Sequence, residues 1–389
     1  MRHNRRHPNS GADAFFIMQT QQHCITLAGS GPAHHVTSLH FGVAGGGPKV
    51  YLQAALHADE VPGMLVAHSL RRQLADLERA GRLRGEIVLV PAANPLGLAQ
   101  AIHGAPFGRF DLCTGVNFNR DYKHVAEELK RSLAGQLGAD GAANVALVRR
   151  HARDAVATWS PATDAQALKK ILLGLAIDAD IVLDLHCDNE AVLHLYTGTP
   201  LADALAPLAA MMGARAVLTA LAAGGEPFDE ACSRLWWDLA AHFGPATPLP
   251  PACLAATVEL RGEMDVGYDL AERDAAALVQ FMILRGAIDG PAPLVPAAVC
   301  AATPLEGVQP LAAPHAGVLV FRAQLGAVLA AGAPVADLID PVSGVTTTLR
   351  ADVDGVLFAR TAHRYLQRGM AVAKVAGAHA YRAGNLLSQ

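Results

Sequence analysis

A short, mostly apolar segment that ends in polar residues is the feature that most constrains how this chain folds. Residues 50–60 read VYLQAALHADE, in which Tyr51–Leu56 contains no Gly or Pro and is followed by His57 and Glu60. Such a run predicts a strand buried on both faces, as in a parallel sheet. Open α/β sheets bind ligands at the carboxyl ends of their strands, and imidazole and carboxylate are both good zinc ligands. His57 and Glu60 can therefore hold one face of a zinc ion, and an ordinary surface turn is the equally open alternative.

The segment after this turn indicates a parallel crossover. A long amphipathic pattern predicts a helix, and Ile87–Val90 then predicts a second buried strand. Consecutive strand, helix and strand form a parallel unit, so the second strand is expected to end close to His57.

The His-x-x-Glu spacing is weak by itself because short motifs recur by chance. A second copy, His124 and Glu127, lies in DYKHVAEELKR. That context is typical of the solvated start of a helix, and we interpret the second copy in that way.

Residues 103–122 have little periodicity and many Gly, Asn, Asp and Arg residues, which predicts a long loop. Long loops in compact domains are usually functional. Asn119 and Arg120 are its main candidates, because a guanidinium forms two parallel hydrogen bonds with a carboxylate. The alternative is a salt bridge from Arg120 to Asp121 or Asp111 that only fixes the loop.

A second buried strand that ends in His is predicted at Ile181–His186. Asp184 lies two residues before His186, so both side chains point to the same side of the strand and the Asp can orient the imidazole. We expect His186 to be a metal ligand rather than a structural His. Cys187 is adjacent in sequence and points to the opposite face, which argues against a Cys-His catalytic pair.

Glu259 lies inside the otherwise apolar segment 255–262, AATVELRG. A buried carboxylate is costly without a partner, and the alternatives are a salt bridge to Arg261 or a position close to a metal-bound water. Burial there raises the pKa of a carboxyl group, as a general base and acid requires.

The length of 389 residues suggests more than one domain. We expect a disordered N-terminus at residues 1–21, an α/β domain at 22–290, a Pro- and Ala-rich linker at 291–310 and an all-β barrel or sandwich at 311–378.

The net charge of −4 gives no electrostatic reason to expect nucleic acid or an anionic membrane as a partner. No stretch approaches 18 uninterrupted apolar residues, and the basic start lacks the apolar run of a signal peptide. The six Cys residues are scattered, as in a cytoplasmic protein with reduced thiols. We expect a cytoplasmic protein, with a homo-oligomer left open.

Five motifs occur in order at the predicted strand ends and loops. They read HADE at 57–60, NPLG at 94–97, NFNR at 117–120, DLHCDN at 184–189 and TVELRG at 257–262. Together they resemble the aspartoacylase and succinylglutamate desuccinylase family of the zinc carboxypeptidase superfamily. The resemblance implies a mixed α/β sheet flanked by helices, and the C-terminal region is similar to the biotinyl/lipoyl-type β domain of some bacterial members.

The resemblance also implies one Zn²⁺ per chain, held by His57, Glu60 and His186, with water in the fourth position and Asp184 supporting His186. Three protein ligands and an open position are typical of catalytic zinc, although another divalent metal can replace it.

Four further roles follow from the family pattern. Glu259 matches the catalytic glutamate, Asn119 and Arg120 match the pair that binds the substrate carboxylate, and Arg109 is similar to an arginine that polarises the scissile carbonyl. The implied activity is hydrolysis of the amide in a small N-acyl amino acid or related compound. HADE replaces the commoner Gly after the first His, so the family's known substrates are not carried over.

Two other activities remain open at this point. A metallocarboxypeptidase acting on short peptides belongs to the same superfamily, and a non-catalytic ligand-binding protein is the alternative from another class. A lipoyl or biotinyl carrier is disfavoured, because residues 315–372 contain no Lys and Lys374 falls near the last strand.

Overall fold

The computed structural model describes residues 18–26, 31–384 and 386. Its α-helices are α1 (Pro62–Arg79), α2 (Pro95–Leu98), α3 (Ala126–Ser132), α4 (Gly141–Ala157), α5 (Asp164–Ala176), α6 (Ala202–Met212), α7 (Phe228–Phe243) and α8 (Tyr268–Leu284). Its first strands are β1 (Gln19–Cys24), β2 (His35–Gly42), β3 (Val50–Ala54), β4 (Glu86–Val90), β5 (Ala101–Ile102), β6 (Ala105–Pro106), β7 (Ile181–Asp188), β8 (Glu190–Ala191), β9 (His194–Gly198), β10 (Ala216–Ala220), β11 (Leu254–Gly262) and β12 (Ala302–Pro304). The C-terminal strands are β13 (Val308–Ala312), β14 (Gly317–Phe321), β15 (Val328–Leu329), β16 (Pro334–Ile339), β17 (Thr346–Arg350), β18 (Gly355–Arg360), β19 (Tyr365–Leu366) and β20 (Ala371–Gly377).

The centre of the molecule is a mixed sheet with the strand order β1-β2-β4-β3-β7-β11-β9-β10-β12. The inner strands β4, β3, β7 and β11 run parallel to one another, whereas β2 and β9 pair antiparallel with their inner neighbours β4 and β11. The predicted parallel crossover is confirmed, because β3 and β4 are adjacent and parallel. The mixed α/β architecture expected from the sequence is therefore present.

Helices cover both faces of this sheet. Side chains of α1, α6 and α8 form one core with alternate residues of β3, such as Leu52, whereas α4, α5 and α7 form the other core with Tyr51. Successive strand residues point to opposite faces, which is why a continuous apolar run suits a strand covered on both sides. At Gly63, in the first turn of α1, an added Cβ would lie 3.1 Å from the carbonyl oxygen of Leu185. This close contact places the start of α1 directly against β7.

The region after residue 302 is all-β, as the turn-rich sequence predicts. Strands β13, β20, β18 and β15 form one sheet, and β17, β16, β14 and β19 form a second sheet. Apolar side chains of both sheets share one core, as in a β-sandwich. The likeness to a biotinyl or lipoyl domain stays a prediction.

Two of the expected domain boundaries differ from the structure. The expected disordered segment 1–21 overlaps β1, which pairs antiparallel with β2, while residues 1–17 lie outside the described residues. The expected linker 291–310 contains β12, which extends the central sheet beside β10, and the beginning of β13. Local Pro and Ala content predicts a linker, but backbone pairing with a distant strand overrides it. None of the described helices combines the length and apolarity needed to cross a bilayer.

Candidate active site

His57, Glu60 and His186 converge at the carboxyl end of the central sheet. His57 and Glu60 lie in the turn between β3 and α1, and His186 lies on β7, which pairs in parallel with β3. One potential ligand atom from each side chain lies within 4.8 Å of the other two, and all three residues are buried. Within the described part of the chain, this is the one group of three or more such side chains that is arranged to hold a metal ion.

The carboxylate of Glu60 lies between the two imidazole rings. Its Oε1 is 2.7 Å from Nδ1 of His57, and its Oε2 is 2.8 Å from Nδ1 of His186. The backbone N–H of Cys187 also donates a hydrogen bond to Oε2, at 3.0 Å. The Nδ1 atoms of both rings therefore face the same carboxylate.

The opposite nitrogen of each ring is held by another side chain. Nε2 of His57 donates to Oδ1 of Asn117 at 2.8 Å, and the backbone N–H of Asn119 donates to the same oxygen, which identifies it as an acceptor. Nε2 of His186 lies 2.9 Å from Oδ2 of Asp184, as an ion-pair contact rather than an aligned hydrogen bond. Partners of this kind fix the orientation of metal-binding imidazoles.

Burial and neighbouring charges shift the pKa values of all three candidate ligands. Burial, together with the nearby charge of Arg109, lowers the pKa of His57 to about 4, so its ring is neutral, as a ligand must be. Burial also opposes charge on His186, but the carboxylates of Asp184 and Glu60 outweigh it and hold the His186 pKa well above its usual value. Burial raises the pKa of Glu60, but the two histidines outweigh this effect and hold it well below the usual range.

This arrangement fits a divalent metal. The proton of neutral His57 is on Nε2, so its Nδ1 lone pair and the Glu60 oxygen 2.7 Å away are both available to a shared cation, and Nη1 of Arg109 contacts both atoms. The set of two histidines and one glutamate is one that zinc accepts in catalytic sites. The residues present therefore fit a metal ion at this position.

Glu259 lies on β11, in register with His186 on β7, and lines the same cavity. Its Oε2 is buried and has no hydrogen-bond partner among the described residues. Burial, and then the negative charge of Glu60, raise the pKa of Glu259 to about 8. The alternative salt bridge to Arg261 is not formed, because the register shifts after Glu259 and Arg261 pairs with Asp274.

Arg109 reaches the turn that contains His57 and Glu60. Its Nη1 donates to Oε1 of Glu60 at 3.1 Å and lies 3.3 Å from Nδ1 of His57. The carbonyl of the preceding residue, Gly108, accepts a hydrogen bond from the backbone N–H of Ala58 at 3.0 Å. The long loop is thus anchored beside the candidate metal site.

Asn119 and Arg120 line the cavity on the side of α7. Oδ1 of Asn119 accepts a hydrogen bond from the backbone N–H of Phe228 at 2.9 Å, and its Nδ2 lies 3.4 Å from Nε2 of His186. Nη1 of Arg120 donates to the backbone carbonyl of Asn119 at 2.6 Å. Asp111, one of the alternative partners considered for Arg120, accepts hydrogen bonds from the hydroxyl of Thr114 and from a backbone N–H within its own loop.

The other sequence candidates lie in ordinary environments. His124 is 2.9 Å from a carboxylate oxygen of Asp238, whereas Glu127 is exposed and pairs with Lys130, so these two residues do not form a metal site together. Burial raises the pKa of the Cys187 thiol, which disfavours the nucleophilic thiolate.

Several residues of the cavity were not predicted from the sequence. The cavity encloses about 690 Å³, part of it open to solvent. The unpredicted lining residues include Tyr196, Asp229, Glu230, Leu305 and Lys374. Asn117 was also missed as the partner of His57, although its position in the NFNR motif was a usable signal.

The comparisons with known proteins agree with the motif resemblance. The family model of the succinylglutamate desuccinylase/aspartoacylase catalytic domain matches residues 46–154. A solved structure from Shewanella frigidimarina NCIMB 400 that carries the same family name is 26% identical, with a TM-score of 0.80, and the match covers 92% of this chain and 97% of that one. A family protein from Shewanella amazonensis SB2B is 27% identical, with a TM-score of 0.77 and coverage of 92% and 98%. These matches confirm the resemblance.

More distant structures share the fold. A succinylglutamate desuccinylase/aspartoacylase from Rhodobacter sphaeroides is 16% identical, with a TM-score of 0.64 and coverage of 93% of this chain and 96% of that one. No curated protein sequence matches the chain.

Proposed function

We propose that this chain is a zinc-dependent hydrolase that cleaves the amide bond of a small N-acyl amino acid or related compound. The family match supports the deacylase class. The observation that carries the proposal is the convergence of His57, Glu60 and His186 beside the carboxyl group of Glu259, whose Oε2 has no hydrogen-bond partner among the described residues.

The proposed metal ligands are His57, Glu60 and His186, which leave an open position toward the cavity. A zinc ion bound there would act as a Lewis acid and would make water nucleophilic near neutral pH. Asn117 and Asp184 hold the two imidazoles with Nδ1 directed toward Glu60, so the protein contributes a fixed ligand geometry.

Glu259 is the proposed general base and acid. Its raised pKa and its unpaired Oε2 suit a group that accepts a proton from the attacking water and passes it to the leaving amine. A carboxyl group already paired with Arg261 would be a much weaker base, so the absence of that pair supports this role.

Arg109 and the Asn119–Arg120 pair are proposed to bind the substrate. The guanidinium of Arg109 lies at the metal site, where it can donate to the scissile carbonyl oxygen as negative charge develops on it. Arg120 offers a planar fork for a carboxylate, and its contact with the Asn119 carbonyl fixes its direction. A substrate whose carboxylate lies close to its amide can bind Arg109 through the amide carbonyl and Arg120 through the carboxylate.

The cavity walls favour a small substrate over a peptide chain. Residues from the C-terminal region, Leu305 and Lys374, line the same cavity as Arg109 and narrow the space for a substrate. An acylase can close over its substrate in this way, whereas a carboxypeptidase must admit a chain.

The test combines metal analysis with kinetics. We expect about one equivalent of zinc per chain, hydrolysis of at least one N-acyl amino acid, and slower hydrolysis of short peptides. Glu259→Gln is expected to lower kcat by about 10²- to 10⁴-fold while ligand affinity is largely kept. Unchanged turnover in this variant would exclude the proposed base, and a protein that binds N-acyl amino acids without hydrolysing them would be a binding protein instead.

A further inference from the structure

The C-terminal β region is joined to the catalytic region next to the candidate metal site. Strand β8, which follows the end of β7 by one residue, pairs antiparallel with β18 of the C-terminal region. Glu190 on β8 accepts hydrogen bonds from Nε of Arg360 at 2.6 Å and from Nη2 of Arg364 at 2.5 Å. A buried apolar cluster that includes Leu218, Phe358 and Ala376 continues this contact. The C-terminal region is therefore packed against the edge of the cavity.

Lys374 is the charged residue that this region contributes to the cavity wall. It lies on β20, and its Nζ donates to Oδ2 of Asp188 at 2.6 Å. Burial opposes the charge of the ammonium group, but Asp188 outweighs it and raises the Lys374 pKa above its usual value, so the group stays charged. The fold, and not a local sequence motif, places Lys374 at the cavity wall.

The ammonium group of Lys374 has hydrogen-bonding capacity left over. An ammonium carries three donors, and the contact with Asp188 uses one of them. No second partner of Nζ occurs among the described residues, although the side chain is only partly exposed and lines the cavity. A half-buried donor group of this kind is stabilised by an oxygen acceptor of a ligand.

The place of Lys374 is different from that of Arg120. Asp188 lies two residues beyond His186, so Lys374 approaches the cavity from the end of β7, whereas Arg120 is held beside Asn119 on the side of α7. One substrate can therefore meet both cations with two different groups.

We propose that Lys374 is a specificity-determining residue that binds a second carboxylate of the substrate, distinct from the carboxylate assigned to Arg120. The proposal rests on the hydrolase function above. It gives the C-terminal region a role in substrate choice, because Lys374 enters the cavity only when that region is docked.

The test measures binding with the full chain, loaded with zinc and carrying Glu259→Gln so that ligands are not turned over. The probes are N-acetylalanine, N-acetylaspartate and N-succinylalanine. The first has no second carboxylate, the second has one on the amino-acid side, and the third has one on the acyl side. We expect one of the two dicarboxylates to bind most tightly in calorimetry. Lys374→Met should weaken that probe by about 10- to 100-fold and N-acetylalanine by less than about threefold.

The matched control is Arg360→Gln, which removes an ion pair at the same junction without touching the cavity. It should leave the relative affinities for the three probes unchanged. If Lys374→Met does not fold because Asp188 is left unpaired, the double variant Lys374→Met/Asp188→Asn removes both charges and tests the same point.

Two results would overturn the role of Lys374. One is equal weakening of all three probes, which marks a structural ion pair, and the other is no preference for a dicarboxylate or no effect of the substitution. The proposed hydrolase function is tested separately, because it fails when the unsubstituted chain hydrolyses no N-acyl amino acid, whatever the binding data show.

Discussion

At the scale of single residues, the orientation of His57 depends on Asn117. The side-chain oxygen of Asn117 accepts hydrogen bonds from Nε2 of His57 and from the backbone N–H of Asn119, both at 2.8 Å. It therefore links the candidate metal ligand to the loop that carries Asn119 and Arg120, the proposed carboxylate-binding pair. Without this acceptor, the ring can rotate or change its tautomer.

Asn117→Ala is expected to lower zinc affinity by about 10- to 100-fold, because the ring of His57 loses its fixed orientation. Competition with a chromophoric chelator measures this affinity without any need for activity. Asn189→Ala is the control, since Asn189 lies near the end of β7 and contacts Glu263 rather than a metal ligand. Equal affinities for the Asn117 variant and the unsubstituted chain would rule out this role.

Glu230 is a second residue whose surroundings determine its chemistry. It is 5% exposed, its Oε1 accepts a hydrogen bond from the backbone N–H of Ala223 at 2.6 Å, and its Oε2 has no partner among the described residues. Burial, and then the charge of Asp229, raise the pKa of Glu230 to about 8 from an ordinary 4.5. The unfolded chain thus releases this proton at a lower pH than the folded chain does.

The Glu230→Gln variant is expected to change how stability depends on pH. Because the folded pKa is raised, the contribution of Glu230 to stability is complete below about pH 4.5 and is lost as the pH rises through about 8. Glutamine keeps the acceptor for Ala223 and does not titrate, so the fall in unfolding free energy between these values should be reduced by up to about 1.4 kcal/mol per pH unit. Denaturant titrations at several pH values measure how the unfolding free energy changes with pH. Glu272→Gln, at an exposed ion pair, is the control, and an unchanged slope in Glu230→Gln would contradict the expectation.

Sequence signals that are local pointed to residues that the fold brings together, while the roles of these residues stay predictions. A His or Glu at the end of an apolar run is visible in the sequence, and His57, Glu60, His186 and Glu259 do lie around one cavity. Lys374 gave no such signal, because its neighbour Asp188 lies 186 residues away and is brought close only by folding.

At the scale of elements, the loop between α2 and α3 must approach the turn after β3 very closely. The carbonyl of Gly108 accepts a hydrogen bond from Ala58, and a Cβ added at Gly108 would lie 2.3 Å from the backbone nitrogen of Asp59. No side chain fits at that distance. The glycine therefore allows Arg109 to reach Glu60.

Gly108→Ala is expected to displace this loop and with it Arg109. The unfolding free energy should fall by about 1–3 kcal/mol through overpacking, and kcat/KM should fall by at least about tenfold. Gly138→Ala is the control, because an added Cβ there meets open space. Stability and kcat/KM equal to those of the control would show that the loop tolerates a different path.

Helix breaks are harder to read from the sequence than strand ends. The helix start expected around His124 leads into α3, which is separated from α4 by a break with Gly135 at a positive φ. Asp140 then begins α4, its side chain accepting hydrogen bonds from two backbone N–H groups of the first turn. Apolar periodicity continues across such a break, so the break is identified by its glycine and its capping residue.

At the scale of the whole molecule, the C-terminal region is packed together with the α/β region. The sequence predicts a separate all-β domain behind a linker, because Pro and Ala composition is local information. The structure instead places β12 in the central sheet and pairs β8 with β18. Phe358 is fully buried at this junction, with its ring centroid 4.9 Å from that of His194 on β9.

Phe358→Ala is therefore expected to destabilise both regions together. Removing a buried aromatic ring costs about 3–5 kcal/mol, and a shared core transmits this loss to the α/β region. The tryptophans, Trp159, Trp236 and Trp237, all lie in the α/β region, so their fluorescence reports that region alone. Its thermal midpoint should fall together with the midpoint from circular dichroism of the whole chain.

Val320→Ala, at a half-exposed position of the same β region, should shift neither midpoint appreciably. An unchanged tryptophan transition in Phe358→Ala would mean that the C-terminal region unfolds independently, and Lys374 could then leave the cavity without unfolding of the α/β region.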